Sequence, residues 1–528
     1  MKKNNRFIKR FLPVLTLCGL LSACEFLETE PHDTFTPQGF YKTEEQVNTA
    51  LYGVYRALAN NMLYGANMQG IMGLSADLGY ESYNRDQFTV GYNYVVSTDS
   101  RILSYWQYLY ICISRANLLL ENLDRAPMDE TVRDNVRGEA LFLRAYAYFM
   151  LVNKFRNVPL ILHSAPSAEP EYTQVPQADP EKVYEQIVSD METAAGLVKP
   201  ASEVECGGRI SQSAVWGILA RVCLYMAGEP VNEPGMYAKA KEYAQKVIDT
   251  QFHELNPSFE QVFINYIQDK YDIKESIFEV EFWGNNVGTY TTTAGMVGRN
   301  NGIGFSNYDL NIGVSVGTIR ATAYFLSLFE ENDLRRDWTI APFTYVKETG
   351  EKTMQTTNYW IRYCGKFRRE YELTTPKSST YTPINFPILR YSDVLLMYAE
   401  AHFNNDQALA EEDDEALECF NQVRRRGHGL DPETASEEVD YVYSGRENFM
   451  QELRDERARE LAFELLRKDD LVRWGIYYDQ MQYVKGTVPG NYTEAVLYFN
   501  QVEPKGVMWP IPSYEMGVNR KLVQNTGW

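Results

Sequence analysis

The chain has 528 residues, 45% of them hydrophobic and 13% aromatic, with a formal net charge of −20. A chain of this length buries one large core or divides into several domains. So acidic a chain is a poor partner for a phosphate backbone or an anionic lipid surface, and its acidity mainly serves solubility.

In chain order, Lys2, Lys3, Arg6, Lys9 and Arg10 precede a mostly apolar run from Phe11 to Leu21. That is the layout of an export signal. As a helix this run covers about 16 Å, short of a hydrocarbon core of roughly 30 Å, so it directs export rather than spanning a bilayer. Leu21-Ser22-Ala23-Cys24 resembles a bacterial lipobox, which implies a signal peptide over 1–23 and acylation of Cys24 as the first residue of a mature chain 24–528. Residues 1–23 carry five basic and no acidic residues, so their removal takes the net charge from −20 to −25. The mature chain would be soluble but held by lipid. Besides Cys24 it contains Cys112, Cys206, Cys223, Cys364 and Cys419, an odd set with no C-x-x-C pair, which is no disulfide framework.

Most of the chain reads as helix. The spacing of apolar residues predicts helices over 44–60, 104–124, 132–155 and 181–197. Ala214, Val215, Ile218, Leu219, Val222, Cys223 and Met226 recur at helical spacing, with Ser211 placed to cap the start and Gly228 to end the helix. Ala214, Gly217 and Ala220 would let a second helix, over 237–249, approach closely. Two such antiparallel helices form the unit of a tetratricopeptide-type repeat. Further helices are expected over 391–404, 413–427 and 447–467, although no clean 34-residue period is visible. Residues 61–103 and 280–387 are different: they are rich in Gly, Asn and Tyr, with strand signals only at 277–283 and 358–363. Long irregular segments on a helical scaffold usually carry function or a partner surface.

The run Phe386-Pro387-Ile388-Leu389-Arg390-Tyr391-Ser392-Asp393, continued by Val394-Leu395-Leu396-Met397-Tyr398-Ala399-Glu400-Ala401, resembles a signature of the SusD/RagB family of outer-membrane lipoproteins. So do Glu456-Arg457, Glu460-Leu461, Phe463-Glu464, Arg467, Asp470-Leu471 and Arg473-Trp474-Gly475. The terminus gives a third match in Trp509-Pro510-Ile511-Pro512, Gln524-Asn525 and Gly527-Trp528, and Glu139-Ala140 through Asn157-Val158-Pro159-Leu160 a fourth. The chain departs from the family pattern at Leu465 and at Arg156-Asn157, where glycine is usual. The resemblance implies a mainly α fold, with four tetratricopeptide-type units supporting irregular loops and a few short strands. It divides the mature chain into an N-terminal portion, 24–235, and a C-terminal portion, 270–528, with 280–387 as an irregular insert. It implies a lipid-anchored cell-surface protein that binds glycan and delivers it to a SusC-like TonB-dependent transporter, over which it sits as a lid. Glu25, Glu28 and Glu30 are similar to the acidic export signals of such lipoproteins.

Signals for chemistry are weak beside this. Gly313-Val314-Ser315-Val316-Gly317 fits the G-x-S-x-G nucleophile pattern, with 319–330 as the following helix and His402 or His428 as the base. No oxyanion-type glycine run precedes it. The five histidines, His32, His163, His253, His402 and His428, form no zinc pattern. No cofactor is expected. A structural calcium ion stays open, since carboxylate and carbonyl ligands leave weak sequence traces. Glu456 and Glu460 share a helix face, but Arg454, Arg457, Arg459 and Arg467 crowd it, which favours a salt-bridged helix over a glycosidase pair.

The remaining signal is the pairing of aromatic and polar residues in the loops. A pyranose offers an apolar C–H face to a flat ring and a rim of hydroxyls to amides and charged groups. Asp77, Tyr80, Tyr83, Asn84, Arg85, Asp86 and Tyr94 supply both in one region, and Trp283, Asn285, Asn286 and Tyr290 in the other. Family members place ligand sites on loops from both regions, so these residues are the ligand-binding candidates. Peptide capture is the alternative the resemblance leaves open. A surface hydrolase lacks a credible acid–base pair, and a purely structural scaffold would bind no small ligand.

Overall fold

The computed structural model describes residues 39–70, 76–83, 87–287, 293–405 and 414–528. Cys24, the segment 1–23 and the acidic residues after Cys24 lie outside them. The described chain is mainly α-helical with short strands. A ladder of helices forms its frame: α1 (Glu44–Leu58), α2 (Ser100–Asn122), α3 (Glu130–Phe155), α4 (Pro180–Ala195), α5 (Gln212–Ala227) and α6 (Met236–Ile248). Each of these packs on the next. A short α7 (Phe259–Ile267) follows. The ladder resumes with α8 (Tyr391–Asn404), which packs on α6, on α9 (Asp414–Gly427) and on α10 (Arg446–Leu461). Helices α11 (Arg467–Arg473), α12 (Tyr477–Lys485) and α13 (Thr493–Asn500) follow, before a last short helix, Ser513–Val518.

The expected caps are present. Ser211 Oγ accepts from the Ala214 amide at 3.2 Å, and Gly228 ends α5. Gly217 gives way to a strand rather than to α6: a Cβ there would lie 2.4 Å from Leu389 Cδ2. The cysteines Cys112, Cys206, Cys223, Cys364 and Cys419 are all free.

Strands occur in antiparallel pairs. β1 (Gly79–Glu81) pairs with β5 (Ile319–Ala321), β2 (Val158–Pro159) with β3 (Gln177–Ala178), β4 (Ser276–Val280) with β8 (Phe386–Arg390), and β6 (Phe343–Tyr345) with β7 (Lys352–Met354). Three sequence expectations change here. Residues 319–330 begin as β5 and only then form a one-turn helix, Ala323–Ser327. Residues 358–363 form a single helical turn, Tyr359–Ile361, with isolated bridges at Tyr363 and Cys364. The helix expected over 447–467 stops at Leu461, because Phe463 and Leu465 have φ of 63° and 69° before α11 starts.

The motif residues build a buried ionic frame. Arg390, at the end of β8, donates to Glu275, Glu460 and Glu464 at 2.8 Å each. Arg426 bridges Glu275 and Glu460, Arg335 bridges Asp333, Glu456 and Glu460, and Lys366 pairs with Glu464 at 2.6 Å. A second set runs Arg221–Asp393–Arg457–Asp470–Arg473–Glu400. The Arg335 and Arg459 charges hold Glu456 down to about 2 against the upward push of burial. Glu456 and Glu460 therefore are salt-bridged, but inside the protein rather than on a solvated face. Replacing Arg390 with Met would leave three carboxylates without this partner. Chemical denaturation should show a loss of about 3–5 kcal/mol, and a loss below 1 kcal/mol would contradict this frame.

Glu279 contrasts with that frame, since burial raises it to about 8, with Glu281 and Asp269 adding to the shift. Its contribution to stability is complete below the ordinary value of 4.5 and is lost as the pH rises through about 8. The advantage of Glu279→Gln over the parent should therefore grow between about pH 5 and pH 8. Denaturation midpoints at the two pH values check this, and a constant difference would refute it.

Leu465 and Arg156, the two departures from the usual glycine, both sit at positive φ, 69° and 61°. L-residues are strained there. Arg156→Gly should stabilise the fold by about 1 kcal/mol in the same assay, and a loss of stability would show that its backbone is unstrained.

Candidate functional site

Loops from both halves of the chain meet in one hydrogen-bonded system. The one-turn helix Val297–Asn301 packs against Asn67–Gly70. The Met296 amide donates to Gly65 O at 2.8 Å, and Asn300 Nδ2 to Ala66 O at 3.2 Å. The Thr318 amide donates to Asn300 O at 2.9 Å, and the Ser82 amide to Thr318 O at 2.8 Å, extending the β1–β5 ladder. Gly295 and Thr382 exchange backbone bonds, and Arg299 Nε donates to Ser379 O at 3.3 Å. Loop residues more than 200 positions apart are thus tied together.

Two of the proposed aromatics on these loops are exposed. Tyr83, next to Ser82, is 57% exposed, and Trp283 is 56% exposed. The Trp283 carbonyl accepts from Thr293 Oγ1 at 3.3 Å, which ties its loop back on itself. Tyr94 is 39% exposed and meets Phe88 edge-on at 5.3 Å between ring centroids. Asn286 is half-buried, with φ 57°. Asn84, Arg85, Asp86 and Tyr290 lie outside the described residues.

Three nominated residues are interior anchors instead. Asp77 is buried: its two oxygens accept from Arg467 Nε and Nη2 at 2.9 Å each, and Oδ2 also from Gln480 Nε2 at 3.0 Å. A carboxylate so occupied fixes the start of β1 and offers nothing to a ligand. Tyr80 is buried, donates to Trp360 O at 2.7 Å and is pushed up to about 12 by desolvation. Asn285 is buried, donating to Pro376 O at 2.7 Å and accepting from the Val287 amide at 3.1 Å. In each case residue type matched the chemistry, but the side chain faces inward.

The structure adds residues that the sequence reading passed over. Phe88 and Tyr308 are exposed aromatics of the two loop regions. Phe88 follows Asp86-Gln87, so the aromatic-polar pairing that selected Tyr83 also covered it. Arg320 lies over the Tyr363 ring at 5.2 Å. Gly317, at φ 60°, lets the chain pass that ring, where a Cβ would approach to 2.6 Å.

The loop surface offers flat rings, amides and guanidinium groups, which suit binding. Ser315 is buried, with Oγ donating to Arg299 O at 3.0 Å and accepting from the Gly317 amide at 3.3 Å. His402 contacts Lys241 at 2.8 Å, and His428 faces Glu330 at 3.9 Å, so Ser315 serves as a loop tie. Among the described residues no group of three His, Cys, Asp or Glu side chains is placed to hold a metal ion, and no helix is long and apolar enough to cross a membrane.

Comparison with known proteins agrees with this architecture. A profile described as the SusD family matches residues 265–528, and one described as starch-binding, associating with the outer membrane, matches residues 25–224. The chain is 25% identical to the SusD-like protein P25 of Formosa agariphila, covering 99% of this chain and 98% of that one. It is 24% identical to the starch-binding protein SusD of Bacteroides thetaiotaomicron, over 79% and 76% of the two chains. Among solved structures, a SusD homolog from Bacteroides thetaiotaomicron superposes with a TM-score of 0.85 at 27% identity, covering 93% of this chain and 98% of its own. A laminarin-binding SusD-like protein gives 0.70 at 25% identity, with 92% and 100% covered. The chain belongs to the SusD family.

Proposed function

We propose that this protein is a lipid-anchored receptor of the outer membrane, facing the cell exterior, that captures an oligosaccharide or polysaccharide on its loop surface. It passes the glycan to a SusC-like TonB-dependent transporter and does no chemistry on it. The observation that carries this reading is the placing of Tyr83 and Trp283, both more than half exposed, on one loop system anchored in both halves of the chain. Exposed flat rings backed by a fixed backbone bind a sugar face at low entropic cost. Starch and laminarin binding, named for two of the relatives, support a glucan-type ligand. Cys24 supplies the lipid attachment. The helical ladder serves as a tetratricopeptide-type scaffold, leaving the transporter to supply the energy for uptake.

Tyr83→Ala and Trp283→Ala test the surface. For whichever of starch or laminarin the parent binds in a depletion assay, each change should weaken binding about tenfold, about 1.4 kcal/mol, without altering the thermal midpoint. Unchanged binding in both variants would remove the site from this surface. Binding of peptides but of neither polysaccharide would overturn the glycan reading.

A further inference from the structure

A cavity of about 210 Å³ lies between α11, the turn at 93–96 and the segment 501–506, with Trp528 in its wall. Lys468 of α11 lines it and is only 7% exposed. Among the described residues its ammonium has no hydrogen-bond or ion-pair partner, and it lies 5.2 Å from the centre of the Tyr477 ring. The carboxylates at hand are occupied. Glu503, in the same wall, is paired with Lys505 at 3.0 Å, and Asp469 is held by Lys154 and Asn153. The wall contains two more polar groups without partners: Gln501 Oε1, whose amide nitrogen donates to Gln87 O, and the Trp528 indole N–H.

An ammonium largely withdrawn from water without an ion-pair partner is costly, and an arriving anion offsets part of that cost. Desolvation pulls Lys468 down to about 7, with Lys154 pulling the same way and Asp469 opposing. The cavity has the volume of about seven liquid waters, too small for an oligomer. The rings of Tyr94, Tyr477 and Trp528 give it apolar walls.

We propose that this cavity is a binding site for a small hydroxy-carboxylate, whose carboxylate pairs with the Lys468 ammonium and whose hydroxyl donates to Gln501 Oε1. That chemistry is shared by a free hydroxy acid and by the uronate end unit of an acidic glycan. Tyr94 of the Tyr83 loop region lines the site, which does not rest on the function proposed for the Tyr83–Trp283 surface.

Calorimetric titration of the purified protein at about pH 7.5 tests it, with lactate as a free hydroxy acid, methyl glucuronide as a uronate end unit and methyl glucoside as the neutral control. At least one acid should bind with proton uptake, read as a dependence of the heat on buffer ionisation, while the glucoside should not bind. Lactate alone, or both acids, would point to free acids; the glucuronide alone would point to acidic glycans. Lys468→Met should weaken acid binding at least tenfold and raise the thermal midpoint, with the rise shrinking as the pH approaches about 10. Gln501→Ala should weaken it several-fold. The proposal falls if no acid binds below about 20 mM, if the glucoside binds equally well, if binding takes up no proton, or if Lys468→Met binds like the parent.

Discussion

The fold depends most on Arg390. Its guanidinium draws together β8, the residue preceding β4, the last turn of α10 and the turn that follows it through carboxylates. Taking these charges out of water is expensive, and apolar side chains of the same volume would often serve stability as well. What charges add is direction. A bidentate guanidinium accepts a carboxylate in few geometries, so the network fixes how the strand pair sits on the helices. Arg426 and Arg335 extend the same constraint to α9 and to the middle of the insert.

The same device reaches the loop surface. Arg467, at the head of α11, grips Asp77 with two bonds, and Asp77 leads directly into β1. β1 pairs with β5, and the Ser82 amide carries the ladder on to Thr318, beside Tyr83. The exposed Tyr83 ring thus lies two residues past the end of a strand that is fixed from inside. This arrangement gives irregular loops a fixed backbone: their backbone bonds are made largely among themselves, and their anchors lie in the buried frame.

The helices were readable in the sequence because periodicity and caps are local. Ser211, Gly228 and the apolar stripe between them act within a few turns. The run from Phe386 to Ala401 was readable as a family signature, and its strand-to-helix transition at Arg390 has a physical reason in the network. The insert was much less readable. β1 and β5 are some 240 residues apart, and nothing in a three-residue strand announces its partner. The aromatic-polar composition selected two loop regions, yet could not tell exposed Tyr83 from buried Tyr80, since the two differ in facing rather than in chemistry. Asp77 was misread for the same reason: its partner, Arg467, is remote in sequence. The glycine departures at Arg156 and Leu465 were visible in the sequence, but their meaning required the backbone angles.

The role proposed for this protein is capture of a glycan without its cleavage. Affinity electrophoresis of the purified protein through gels containing a panel of polysaccharides, with an inert protein as control, addresses this most directly. The account predicts retardation in at least one gel, with the chain length of that polysaccharide unchanged after prolonged contact. Mobility equal to the control in every gel, or shortening of the retarding polymer, would contradict it.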